Sequence, residues 1–223
     1  GGIYAIYREG VHFGAIEALT LWYNNLPPGK QARCFLSPIK ALPLVTIRLV
    51  NPAIVVDGNE ILFPVELESG SYLALLDNQV ARNEPYGLYL YDCYSGSEAL
   101  IEGNTFTSNY EYGLLVSNDV SYGSRMAVLR NTFTDHMDSA CAVAPVNFGS
   151  SLDLRDNEAT GGDAEGFDLS GYYEGSQGVI SGNSVTGAAG DGIYVQEVDY
   201  GCVLTVEQNT FSENGDIGFD CSS

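Results

Sequence analysis

Asparagine recurs along this chain at nearly constant intervals, and this period constrains the fold more than any other feature. The six clearest copies stand 26, 27, 26, 26 and 26 residues apart: Asn78, Asn104, Asn131, Asn157, Asn183 and Asn209. Nine residues after each copy comes a small residue, in the order Gly87, Gly113, Ala140, Gly166, Gly192 and Gly218. A self-similar period of this length is typical of proteins built by stacking one structural unit upon the next.

Each period contains three short apolar segments. After the small residue, apolar side chains occupy alternate positions, as in LYLY (88–91) and LLVS (114–117), and this alternation predicts a strand. A second apolar position lies two residues after each asparagine, and a third segment precedes it. We therefore expect three strands per coil. One corner lies at asparagine, whose side-chain amide can pass hydrogen bonds from coil to coil, and another lies at glycine, which permits a positive φ.

Weaker copies extend the period toward the N-terminus. Asn51 lies 27 residues before Asn78, and Asn24 lies 27 residues before Asn51. The sequence thus predicts a single domain over residues 1–223, with irregular first coils in 1–44 and regular repeats in 45–223. Because one coil cannot bury its apolar face alone, stacking of roughly eight coils must supply the core.

This repeat resembles that of the right-handed parallel β-helix family, the pectin-lyase-like superfold. The resemblance implies an all-β fold, a right-handed parallel β-helix of three-strand coils of about 26 residues each. It does not fix the function, because the superfold includes polysaccharide lyases, hydrolases and epimerases as well as tailspikes, adhesins and other non-catalytic surface proteins.

The catalytic signatures that the resemblance would imply are absent from the sequence. There are no paired aspartate motifs of the polygalacturonase type, no Gly-His-Gly and no Arg-x-Lys. Residues 156–223 contain 13 acids and no Lys, Arg or His, so a basic residue for a lyase reaction is missing there. We expect a protein that is not an enzyme.

One cluster, Asp135-His136-Met137-Asp138, loosely resembles a motif of the alginate epimerases, and histidine beside carboxylates can transfer protons. Its place in the repeat argues against that role. His136 lies five residues after Asn131, in the position that Asn83, Asn109 and Asn214 occupy in other periods. The sequence favours a histidine that replaces asparagine at a corner.

Two sets of side chains are candidate binding residues on the outer wall, the surface formed by the side chains that point away from the core. Three tyrosines that point outward could stack on sugar rings, with an aspartate beside them. Tyrosine is also common on ordinary strands. The candidate residues are Tyr89, Tyr91, Asp168 and Tyr194. Acidic residues also recur just before the small residue: Glu111, Asp138, Glu165, Asp191 and Asp216. Their carboxylates could hold calcium through oxygen ligands, or could form a solvated acidic edge. No cofactor other than calcium is expected.

The overall charge narrows the choice of partners. A net charge of −20 disfavours nucleic acid and anionic membranes, and no apolar run is long enough to span a membrane. The five cysteines show no CxxC pair and no zinc-ligand spacing. We expect an extracellular or cell-surface protein, and a glycan is a possible partner.

The two ends of the chain differ in charge. Residues 1–50 carry five basic and two acidic residues, a net charge of +3, whereas residues 156–223 carry −13. The sequence shows no amphipathic segment to cap either end, and uncapped strand edges pair with other chains. Two accounts stay open: subunits that stack head to tail into a filament, or a segment of a longer β-helix. Both indicate a structural or adhesive role. The competing class is a polysaccharide-active enzyme or a carbohydrate-binding module.

Overall fold

The structure, a computed structural model, describes strands in 19–67, residue 70, residues 72–83 and residues 85–222, with side chains from Leu67 onward. Asn24, Asn51 and most of the irregular coils predicted in 1–44 lie outside the described residues. Every regular element in the described part of the chain is a β-strand. In chain order these are β1 (Leu19–Trp22), β2 (Lys40–Ala41), β3 (Thr46–Val50), β4 (Val55–Asp57), β5 (Val65–Leu67), β6 (Tyr72–Leu76), β7 (Gln79–Ala81), β8 (Leu88–Tyr94), β9 (Glu98–Glu102), β10 (Thr105–Thr107), β11 (Leu114–Ser121), β12 (Arg125–Leu129), β13 (Thr132–Thr134), β14 (Cys141–Val143), β15 (Ser151–Arg155), β16 (Glu158–Thr160), β17 (Phe167–Leu169), β18 (Gln177–Ser181), β19 (Ser184–Thr186), β20 (Ile193–Val195), β21 (Val203–Glu207), β22 (Thr210–Ser212) and β23 (Phe219–Cys221).

The strands form three sheets in which neighbours come from successive coils. Sheet A has the order β1-β3-β6-β9-β12-β15-β18-β21, sheet B the order β2-β5-β8-β11-β14-β17-β20-β23, and sheet C the order β4-β7-β10-β13-β16-β19-β22. All the pairings are parallel, and each joins equivalent residues, as in Phe106 with Val80 and Phe133. The all-β parallel solenoid with one strand of each sheet per coil confirms the predicted fold class.

Six complete coils follow one another from β6–β8 to β21–β23. This number is slightly lower than the roughly eight coils expected, and strands β1 to β5 add members to the same three sheets. No helix among the described residues is long and apolar enough to cross a membrane.

The core runs along the coil axis as columns of stacked apolar side chains. The rings of Phe106 and Phe133 lie parallel, with centroids 4.9 Å apart, and Phe167 meets Phe133 edge to face at 5.9 Å. All three side chains are completely buried. Burial of each ring stabilises the fold by about 2 to 3 kcal/mol before the entropy cost of ordering the chain, so the core depends on neighbouring coils being in register.

A bulge in β11 explains the interval of 27 residues between Asn104 and Asn131. Leu88 pairs with Leu114, 26 residues away, whereas Asp92 pairs with Asp119, 27 residues away. The register shifts between Val116 and Asp119, so the extra residue lies on the exposed surface at 117–118. A bulge absorbs one residue without moving the rest of the strand to the wrong face, and the inward columns stay aligned.

The corners use left-handed backbone at the residue before the ladder position, rather than at the ladder position itself. In one coil the left-handed residues are Gly103 (φ 67°), Ser108 (φ 50°) and the pair Tyr122 (φ 55°) and Gly123 (φ 73°). The first two are followed directly by Asn104 and Asn109. These two corners therefore turn at one residue and are tied to the neighbouring coils by the next.

The prediction that the recurrent glycine supplies a positive φ is wrong. Gly113 is absent from the left-handed residues of the structure. A Cβ atom at Gly113 would lie 2.7 Å from the backbone oxygen of Ala140 and 2.7 Å from the ring of Phe133, closer than real Cβ contacts. Glycine is required there because the corner packs directly against the next coil.

A third corner, between sheets B and A, was not predicted from the sequence. It carries a Gly-Ser pair in four successive coils: Gly96-Ser97, Gly123-Ser124, Gly149-Ser150 and Gly175-Ser176. The backbone N–H of Ser97 donates to Oγ of Ser124 (3.2 Å), and that of Ser124 donates to Oγ of Ser150 (3.1 Å). Serine thus forms a short ladder of its own, and its recurrence at the same period was the available signal.

One coil fills the core in a different way from its neighbours. The buried Tyr172 occupies the column of Val146 and Val198, and Gly178 occupies the column of Leu152 and Leu204. A Cβ atom at Gly178 would collide with the Tyr172 ring. The large side chain therefore fills the volume that the glycine leaves, and the two positions compensate each other.

This compensation can be tested by exchanging the pair for the residues of the adjacent coils. Tyr172→Val alone leaves a cavity and Gly178→Leu alone overpacks the core, so each is expected to lower the free energy of unfolding by about 2 to 4 kcal/mol. The double variant should recover most of that loss, because valine and leucine coexist one coil above and below. Urea unfolding of all four proteins measures the coupling. If the double variant lost as much stability as the two single variants together, the compensation between Tyr172 and Gly178 would be contradicted.

Candidate functional site

The six predicted asparagines form one continuous hydrogen-bonded column at the corner between sheets A and C. The backbone N–H and the Nδ2 group of Asn104 both donate to Oδ1 of Asn131, at 2.9 and 3.0 Å. The Nδ2 group of Asn131 also donates back to the backbone oxygen of Ile101, at 2.9 Å. The same pattern links the column from Asn78 to Asn209, and we call it the asparagine ladder.

A second, shorter ladder lies at the corner after sheet C, and His136 belongs to it. The Nδ2 group of Asn83 donates to Oδ1 of Asn109 at 2.8 Å. The backbone N–H of Asn109 then donates to Nδ1 of His136 at 3.3 Å. The structure thus places His136 at the corner, as the register predicted, with only 4% of the residue exposed.

The surroundings of His136 keep its imidazole neutral. Burial lowers its pKa from the ordinary 6.5 to about 4. Because Nδ1 accepts a hydrogen bond from a backbone N–H, the proton of the neutral ring is on Nε2. Asp135 and Met137 on either side are exposed. His136 acts as an acceptor that substitutes for an asparagine amide.

The four candidate sugar-binding residues do not form a single patch. Tyr89, Asp168 and Tyr194 belong to the same outward column of sheet B, in which Leu115 and Ala142 also lie. Tyr89 and Tyr194 are four coils apart, about 19 Å at ~4.8 Å per coil. Only Asp168 and Tyr194 are direct neighbours.

Two of the three candidate tyrosines have hydrogen-bond partners on the same wall. Exposed Tyr91 lies on the same strand as Tyr89. The hydroxyl of Tyr89 accepts a hydrogen bond from Ser117 at 2.9 Å, and that of Tyr194 accepts one from Ser222 at 3.1 Å. Tyr89 and Tyr194 are thus each tied to a serine one coil further along, which is an ordinary role for a strand tyrosine.

Acidic side chains gather near the middle of the wall. Burial raises the pKa of Asp168, and the nearby carboxylates of Glu165 and Asp138 raise it further. Burial and a hydrogen bond to Asp138 raise the pKa of Tyr112, a residue that the sequence analysis did not select. Asp138 also accepts from the backbone N–H of Ser139 at 2.8 Å.

The remaining acids of the predicted calcium stripe are spread along the rod. Oδ1 of Asp191 accepts a hydrogen bond from the backbone N–H of Ile217 at 2.9 Å, while Glu111 lies near Tyr86 and raises its pKa in addition to burial. Asp216 is exposed. Within the described residues, no three His, Cys, Asp or Glu side chains form a group that could hold a metal ion. Calcium binding by this stripe stays a prediction.

An exposed aromatic column was missed by the sequence analysis. Tyr122 and Phe148 stack at the third corner with ring centroids 4.4 Å apart, and Tyr94 lies 4.7 Å from Tyr122. These rings pack on one another along the rod axis, so the edges of the inner rings, rather than their faces, are available to a ligand. An aromatic residue before glycine in two successive periods was the signal.

The described cysteines are free thiols. Cys93 and Cys141 are completely buried in the core, and burial raises the pKa of Cys93 to about 12. Both act as small apolar packing residues. Cys202 is half-buried and Cys221 is exposed in the last described coil.

The parallel three-sheet solenoid with its asparagine ladder defines a β-helix protein. A family model described as "Right handed beta helix region" matches residues 64–223, well over half of the chain. The chain therefore belongs to the right-handed β-helix family. No curated protein and no solved structure matches it.

The neutral state of His136 predicts a specific acid sensitivity. Since its pKa is lower in the folded protein than in the unfolded chain, the unfolded chain binds the extra proton, and stability falls as pH decreases from 6.5 toward about 4. At pH 4.5 this costs the wild type about 2 to 3 kcal/mol relative to pH 7. His136→Asn should remove that part of the pH dependence.

Urea unfolding of the wild type and His136→Asn at pH 7 and 4.5 measures the difference. All other ionisable groups are the same in the two proteins, so their contributions cancel in the comparison. Equal losses of stability on acidification would show that His136 is not held neutral by the ladder.

Proposed function

We propose that this protein is a structural or adhesive β-helix of the extracellular space or cell surface, whose rods associate head to tail into a filament. The observation that carries the proposal is the uninterrupted stacking of the described coils. The asparagine ladder links Asn78 to Asn209, and successive coils pair in the same order in all three sheets. Because order along the sequence is order along the stack, the difference in charge between the first and last parts of the chain lies along the rod.

The outer wall supports a structural role. Tyr89 and Tyr194 are tied to serines, Asp138 and Asp191 accept backbone hydrogen bonds, and His136 is part of a corner ladder. These side chains stabilise the coils on which they lie. The net charge of −20 suits a rod that stays dispersed sideways, since like charges on the walls repel one another.

The difference in charge between the two ends favours one direction of association. Residues 156–223 carry −13 and residues 1–50 carry +3. Opposite charges steer the acidic end of one rod toward the basic end of another, and like charges oppose contact between two acidic ends. An end contact of this kind does not close on itself and forms an open fibre.

A second candidate is a polysaccharide-active enzyme or a carbohydrate-binding module. It is favoured by the raised pKa of Asp168 in the acidic group with Tyr112 and by the neighbouring Tyr194. Binding or cleavage of a glycan that is lost in Asp168→Asn, with the fold retained, would support this candidate over the structural role.

Electron microscopy separates the two candidates. One rod with eight stacked strands in sheets A and B is about 35 Å long, so head-to-tail association should give unbranched fibres of uniform width and many times that length. Negative staining and sedimentation velocity of the purified chain, with and without calcium, measure the assemblies. Monodisperse short rods at every concentration would contradict the filament. Antibody labelling of intact source cells tests the location.

A further inference from the structure

Two exposed tyrosines of successive coils meet at the third corner. Tyr94 is the last residue of β8, and Tyr122 directly follows β11. Their ring centroids are 4.7 Å apart, with the ring planes at 53°, and the hydroxyl of Tyr94 interacts with that of Tyr122. The two residues are 37% and 48% exposed. The hydroxyl ends of two phenols are thus adjacent to each other and open to solvent.

An unusual backbone conformation holds Tyr122 in this place. Tyr122 (φ 55°) and Phe148 (φ 50°) are the only aromatic residues with a left-handed backbone in the described part of the chain, and bulky residues rarely adopt that conformation. Phe148 stacks on Tyr122 from the following coil, with centroids 4.4 Å apart. Strained backbone is often kept where the side chain has a role. Tyr122 is fixed between a supporting ring on one side and a second phenol on the other.

The other neighbouring tyrosines are arranged differently. Tyr86 lies 5.0 Å from Tyr89 and 5.9 Å from Tyr112 between ring centroids, and all three are half-buried. The hydroxyl of Tyr86 is hydrogen-bonded to Glu111, that of Tyr112 to Asp138, and that of Tyr89 to a serine. Among the tyrosine pairs of the described residues, only the pair at the third corner directs its two hydroxyls at each other.

Adjacent phenols couple when each loses one electron and its hydroxyl proton. The two phenoxyl radicals combine at ring carbons beside the hydroxyls, and a Cε–Cε bond forms. The hydrogens on those carbons then move to the oxygens, which restores two phenols. Overall, two C–H bonds break and one C–C bond forms. The two electrons and two protons pass to hydrogen peroxide, whose O–O bond breaks to give two molecules of water.

We propose that Tyr94 and Tyr122 form an oxidative cross-linking site, at which a peroxidase and hydrogen peroxide join two successive coils by a dityrosine bond. The bond links residues 28 positions apart in the chain, at the corner that has only the short serine ladder. Like a disulfide, it restricts the unfolded chain, so the linked rod resists unfolding more than the unlinked one. This inference does not depend on the proposed filament.

The test treats the purified full chain, at low concentration, with a haem peroxidase and hydrogen peroxide. Dityrosine fluorescence measures the product. Cleavage after glutamate followed by mass spectrometry locates it, because Glu98, Glu102 and Glu111 separate the two tyrosines. The wild type should give a linked pair of peptides with the mass of their sum less two hydrogens, in a yield that does not depend on protein concentration. In urea, the linked chain should have an unfolding equilibrium constant at least about 30-fold lower.

Three phenylalanine variants show which residues form the bond. Tyr94→Phe and Tyr122→Phe keep the ring and remove one hydroxyl, so each should lose the linked pair. Tyr91→Phe is the matched control, because Tyr91 lies on the same strand as Tyr94 and is 38% exposed; it should form the link like the wild type. Circular dichroism establishes that the variants are folded, and either of the first two decides the matter if the other unfolds.

Each outcome supports the proposal or overturns it. A folded wild type that forms no link within the chain overturns it, as does a link that Tyr94→Phe and Tyr122→Phe form equally well. Links only between chains, as through Tyr200, which is 97% exposed, overturn it too. A link that is absent from both variants and present in Tyr91→Phe supports it, whether or not the rods form filaments.

Discussion

The asparagine ladder is the interaction on which the rest of the structure depends. Each internal amide of the ladder, from Asn104 to Asn183, accepts two hydrogen bonds from the coil before it and donates to both neighbouring coils, as Asn131 does. A shift of one residue would leave these donors and acceptors buried without partners, at a cost of about 1 to 3 kcal/mol each. The ladder therefore fixes the register in which the apolar columns meet, and the columns in turn exclude water from the amides.

The sequence predicted the parts of the fold that repeat. Asn104 and Asn131 one period apart, and the alternation after Gly113, were sufficient for the coil, its three strands and the corner position of His136. Features that depend on contacts between coils were not predictable in this way. The glycine at 113 is required by the approach of Ala140, and the exchange of volume between Tyr172 and Gly178 depends on two strands meeting across the core.

The same regularity limits what the outer wall can do. Tyr89, Tyr194 and Asp191 each form a hydrogen bond to the next coil. Asp168 differs from them, because burial and the neighbouring carboxylates of Glu165 and Asp138 raise its pKa.

The most direct test of this account removes one amide from the middle of the ladder. Asn131→Ala should lower the free energy of unfolding by at least about 3 kcal/mol, because it leaves the two donors of Asn104 and the backbone oxygen of Ile101 without their partner. Asn118→Ala, on the exposed bulge, should change it by less than about 0.5 kcal/mol. Urea unfolding of both variants gives the comparison, and equal small losses would contradict the central role of the ladder.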